Sequence, residues 1–224
     1  ESIAKEGAYT ASDPAHLWEA PIAVTPNNQL YAVTWQQSVS SDVIAKVFNV
    51  ADDSAASGSL VMNPVSSTSS PIIIALTDTT FTIVYNDLTG RPGGGTAVYG
   101  QILEYVSSTW QRGSEYLLHT DVTASNKVMN SAVAIASSGH HVVAWRVGDY
   151  NYQACVFDGA GARVGDILAT YTSTQARTSR VDFLNDRLIV TFDDADGGGN
   201  SVYYRIYHST AFTTAGMNAA WNGG

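Results

Sequence analysis

Four hairpin-like segments of matching length, an apolar strand after each, and an orphan strand at the N-terminus predict an all-β fold. The pattern is that of a small β-propeller with four blades of four antiparallel strands, closed by the N-terminal strand. The segments align on an aromatic residue: "PIAVTPNNQLYAVTW" ends at Trp35, "PIIIALTDTTFTIVY" at Tyr85, "SAVAIASSGHHVVAW" at Trp145 and "SRVDFLNDRLIVTF" at Phe192. The first residue of each lies 14, 14, 14 and 13 positions before its anchor. Each holds two apolar runs around a turn pair (Asn27-Asn28, Asp78-Thr79, Ser138-Gly139, Asn185-Asp186), which is what a β-hairpin needs.

The third strands read "IAKVFN", "YGQILEY", "QACVFDG" and "YYRIYHS". Shorter fourth strands follow in three repeats: "SLVM", "EYLLHT" and "GDILAT". Successive anchors stand 50, 60 and 47 residues apart, and the long interval contains two expected insertions, "GRPGGG" (90–95) and "SSTWQRGSE" (107–115). One such sheet cannot bury both faces alone, so the units must stack. The fourth repeat has no clear outer strand, whereas "EGAYTASDPAHLWEAP" at the N-terminus matches the outer strand and linker of the third. The expected organisation is one domain with repeats at about 21–70, 71–130, 131–178 and 179–212, and residues 1–20 as closing strand and linker.

Composition narrows the partners. The net charge is −9, with 11 Lys and Arg against 20 Asp and Glu, so nucleic acid and anionic membrane surfaces are not expected. The longest apolar run, "PIIIAL", is strand-sized, so no membrane insertion is expected. The single cysteine, Cys155, excludes an intrachain disulfide and reads as a small buried residue. The chain begins at Glu1 rather than Met, which fits a processed or trimmed product.

His140 and His141 invite a metal or catalytic reading. Their counterparts in the other repeats are Leu30 and Tyr31, Thr80 and Phe81, and Arg187 and Leu188. With no third ligand nearby, they read as strand-opening residues, one facing in and one facing out.

At "VFDGAGARVGDIL" (156–168), "VYGQIL" (98–103) and the hairpins ending in "VTW" and "VAW", the chain resembles repeats of secreted, hemolysin-type, calcium-dependent bacterial exoproteins. The likeness runs through most of 21–208, although the third repeat alone keeps the last motif well. It implies an extracellular or cell-surface adhesive module, with no catalytic residues to carry over.

Candidate chemistry lies in the loops. "DDADGGGN" (193–200) places Asp193, Asp194 and Asp196 ahead of three glycines, an oxygen-rich segment of the kind Ca²⁺ uses. Asp/Gly richness equally suits a hairpin loop. Trp18, Arg91, Tyr150 and Asn151 fall in linkers and second-to-third-strand loops that share one face of a propeller. Aromatic rings beside hydrogen-bonding groups are what a shallow carbohydrate site needs. Trp110, in the 107–115 insertion, is a candidate partner contact. Metalloprotease, P-loop, nucleophile-elbow and dinucleotide motifs are absent, and of the carboxylates outside loops only Glu104 and Asp182 stand out for a glycosidase pair. The expected function is a non-catalytic, lectin-like binding or adhesion module for cell-surface glycans. The alternatives are a self-associating structural subunit and, more weakly supported, a glycan-cleaving hydrolase.

Overall fold

The computed structural model describes residues 21–36, 42–63, 68–87, 97–120, 129–135, 140–147, 151–172, 176–184, 187–194 and 201–208. Every regular element among them is a β-strand. The first sheet is β1 (Ile22–Val24), β2 (Leu30–Gln36), β3 (Val43–Asn49) and β4 (Leu60–Asn63). The second is β5 (Thr68–Thr77), β6 (Thr80–Asp87), β7 (Ala97–Val106) and β8 (Thr109–Thr120). The third is β9 (Met129–Ile135), β10 (His141–Val147), β11 (Asn151–Phe157) and β12 (Arg163–Thr172). The fourth holds β13 (Ala176–Leu184), β14 (Arg187–Asp194) and β15 (Ser201–His208). Each sheet is an antiparallel meander in chain order.

Local chemistry sets the meanders. The β1–β2 turn works because Asn28 takes a left-handed conformation (φ 57°), which Asn tolerates better than most residues. Thr25 and Leu30 close that turn through Thr25 N–H donating to the Leu30 carbonyl at 2.9 Å. The β7–β8 turn corrects the sequence reading. Residues 107–115 are no inserted loop: Ser107 and Ser108 both adopt positive φ (51° and 67°), making a two-residue hairpin turn, and β8 starts at Thr109.

The first strands of successive sheets touch in turn, β1 on β5, β5 on β9 and β9 on β13, so the sheets stand side by side with their first strands innermost. Two apolar seams bind the first three. Between the first and second sheets, the small Ala32, Ala45 and Val47 meet the large Phe81, Ile83, Tyr85 and Leu103. Between the second and third, Val84, Val98 and Leu118 pack with Val143, Cys155 and Phe157. Period-2 alternation produces both seams, because odd and even residues of β6 face opposite neighbours. Cys155 is buried and unbridged. The fourth sheet has three strands among the described residues, and residues 1–20, the expected closing strand, lie outside them.

Phe81 is fully buried in the first seam, against Trp110 at 5.6 Å between ring centroids. Phe81→Ala is expected to cost about 3–5 kcal/mol, read as a fall in the urea midpoint. Tyr105→Ala, at a ring 45% exposed, should cost much less.

Candidate functional site

The meanders give the assembly two chemically different ends. One carries the first-to-second and third-to-fourth strand turns. Asn27 N–H in the first sheet's turn donates to Asp78 Oδ1 in the second sheet's turn at 2.9 Å, so these turns share an end. The other, open end carries the second-to-third-strand junctions. There the last residue of each second strand faces the first residue of the third: Gln36 opposite Val43, Asp87 opposite Ala97, Val147 opposite Asn151 and Asp194 opposite Ser201. Asp87 and Asp194 therefore occupy equivalent positions in the second and fourth sheets. Asp87 and its neighbour Asn86 are both buried.

Among the sequence-derived candidates, Trp18, Arg91, Tyr150 and Asp196 lie outside the described residues. Asn151 opens β11 at the open end, paired with Val147 and Thr172. Asp193 and Asp194 are strand residues, opposite Val202 and Ser201, rather than members of a loop. Among the described residues no three His, Cys, Asp or Glu side chains gather as a metal site would require.

Trp110 is also corrected. Its ring is only 8% exposed, held between Phe81 and Tyr105 (5.4 Å), because the tight Ser107-Ser108 turn puts it in a strand facing the first seam. It offers no exposed ring to a partner. Glu104 pairs with Thr80 and Gln111 near the turn end, and Asp182 lies on the innermost strand of the fourth sheet opposite Ile189. Neither belongs to the open rim. Sequence reasoning missed Asp87, although a signal existed: Asp87 and Asp194 each stand two residues after an aligned aromatic anchor.

A second cluster closes the turn end of the seam between the second and third sheets. The Tyr116 hydroxyl lies 2.6 Å from Thr82 Oγ1 and 2.9 Å from His141 Nε2. His141 opens β10 fully buried and stacks on Phe157 (5.7 Å, 28°), while His140 before it is half-buried. His141 Nδ1 is buried without a hydrogen-bond partner. Burial pushes the His141 imidazole down to about 4, partly opposed by the Asp158 carboxylate, and burial raises the Tyr116 phenol. Two glycines make room for the Tyr116 ring. A Cβ at Gly100 or at Gly161 would overlap it, and Gly161 also has φ +84°.

Compared by sequence, the chain matches no protein-family model and no curated protein. Solved structures do match. A sialidase of Trypanosoma rangeli is similar with TM-score 0.54 and 13% identity over 83% of this chain and 35% of that one. An α-L-arabinofuranosidase of Fusarium graminearum is similar with TM-score 0.53 and 11% identity over 84% and 62%. An arabinanase of Bacillus subtilis is similar with TM-score 0.51 and 10% identity over 86% and 74%. At such identities the likeness establishes the fold, which is β-propeller-like.

These findings correct the expected function. The three structures named above are glycan-cleaving enzymes, and their likeness overturns the reading of a non-catalytic, lectin-like adhesion module. The physical reason is that such a fold draws its site from separate sheets, so the lack of a contiguous catalytic motif excludes no enzyme.

Gly100→Ala is expected to displace Tyr116 and cost about 1–3 kcal/mol, the usual range for overpacking. In a Tyr116→Ala background that cost should vanish, which a double-mutant cycle by urea denaturation would read as strong coupling.

Proposed function

We propose that the protein is a glycan-cleaving hydrolase whose substrate lies across the open end, with Asp87 and Asp194 as its pair of carboxylates. The observation that carries this reading is their equivalent register in two sheets separated by a third. In a ring of four such sheets, those two positions lie on opposite sides of the axis at the open end. Glycoside hydrolysis needs that arrangement: one carboxyl gives a proton to the leaving oxygen, and the other activates water or attacks the anomeric carbon. Similarity in fold to a sialidase, an arabinofuranosidase and an arabinanase supports the same class.

Ring closure is part of the proposal. The far face of the first sheet supports it, since Ile22, Val24 and Val61 are 59%, 47% and 46% exposed on one apolar surface. The fourth sheet would cover that face. Asn151, at the same open end, would hydrogen-bond sugar hydroxyls. With a net charge of −9, neutral glycans suit the site better than polyanionic ones. An extracellular setting, as the exoprotein resemblance implies, fits a polysaccharide substrate.

The test is release of reducing ends from neutral polysaccharides such as arabinan and galactan. Asp87→Asn and Asp194→Asn should each lower the rate by about 10²–10⁴-fold, the usual worth of a general acid or base. Their circular dichroism should stay unchanged. Activity that survives both substitutions would reject the pair, and no release from any neutral glycan would reject the substrate class.

A further inference from the structure

The Tyr116–His141 contact is out of place in a packed seam. Above it, toward the open end, the same interface is apolar: Val84, Val98, Leu118, Val143 and Cys155. At the turn end the seam changes to three polar side chains in a row, with the Tyr116 hydroxyl bridging Thr82 of β6 and His141 of β10. The bridge thus ties the second sheet to the third. Its geometry fits a neutral imidazole: one ring nitrogen faces the phenol, and the other is buried with no acceptor. A phenol can hydrogen-bond to neutral histidine in either tautomer. The Nε2–H tautomer, donating to the phenol oxygen, leaves Nδ1 a bare nitrogen, whereas in an imidazolium both nitrogens must donate and Nδ1–H would have nothing to reach.

We propose that this contact is an acid-sensitive latch: protonation of His141 puts a charged, partnerless Nδ1–H into the seam beside the Tyr116 bridge and loosens the second and third sheets from each other at the turn end. The titratable groups around His141 among the described residues are Asp158, His140 and Tyr116. Asp158 favours the cation, but its Oδ1 already accepts the Ala160 and Ala162 N–H groups at 2.9 and 2.8 Å, which holds it in the β11–β12 turn. His140 opposes the cation. Thr82 does not titrate, and the stacked Phe157 ring offers no acceptor nitrogen or oxygen. Protonation therefore leaves a buried donor without a partner, which the seam must open to hydrate.

The sign follows from linkage. His141 is held near 4 in the fold against 6.5 when unperturbed, so the unfolded chain takes up the proton first. The latch contributes fully above about pH 6.5 and is lost progressively as pH falls toward 4. The same β6 and β10 strands that meet at the latch run up to Asp87 and Val147 at the open end, so the latch also steadies the rim. The inference does not depend on which reaction that rim performs.

The test compares the whole protein with His141→Gln, which keeps a hydrogen-bonding group toward Tyr116 but cannot titrate. The folding constant from urea denaturation should fall by roughly a hundredfold more in the native protein than in His141→Gln between pH 7 and pH 4. Amide hydrogen-exchange protection at Tyr116, His141 and Phe157, taken relative to the intrinsic rate at each pH, should fall below pH 6 ahead of the first seam at Phe81. Should His141→Gln fail to fold, NMR titration of the His141 ring in the native protein decides instead. A ring titrating near 6.5, equal pH dependence in the two proteins, or unchanged exchange protection at the second seam down to pH 4 would each overturn the proposal.

Discussion

Everything in this molecule depends on face-to-face packing between sheets that are apolar on both sides. An isolated four-stranded meander leaves one face wet, and here the second sheet has no face to spare. Phe81, Ile83 and Tyr85 point to the first sheet, while Thr82 and Val84 point to the third. The first seam fits by size, since Ala32, Ala45 and Val47 are the small counterparts of the large side chains opposite. Interiors packed to crystal-like density tolerate little change at such contacts. The sheets thus hold one another, and the loops at their ends are free to carry chemistry.

The second seam uses the same principle and adds a polar joint. Placing Tyr116 there requires two positions with no side chain, Gly100 on β7 and Gly161 in the β11–β12 turn. The second of these also needs the left-handed backbone that glycine supplies without strain. A buried hydroxyl satisfied by partners on two sheets specifies how those sheets align, which apolar contacts alone would leave looser. The cost is a buried histidine whose second nitrogen has no partner.

Much of this was legible in the sequence. The alternation of apolar residues and the turn pairs predicted the hairpins, and the expected partition of His140 and His141 matches a half-buried and a fully buried side chain. Other features were hidden for physical reasons. Two serines are weak turn signals, so the hairpin at Ser107-Ser108 read as an insertion and Trp110 as an exposed contact. The Tyr116 joint unites residues 34 and 25 positions apart on three strands, beyond any local motif. The Asp-rich segment at 193–200 reads as a loop in sequence, whereas its first two residues, Asp193 and Asp194, end β14. Asp87 became a candidate only when that register aligned it with Asp194.

The central claim is that the open end binds a glycan between the second and fourth sheets. The most direct measurement is a crystal structure of the protein with a non-cleavable, thio-linked arabino- or galacto-oligosaccharide. The account predicts the sugar across the open end, with Asp87 and Asp194 on either side of the thioglycosidic link. A sugar bound at the turn end, or an ordered open end in which the two carboxylates lie too far apart to flank one glycosidic bond, would contradict it.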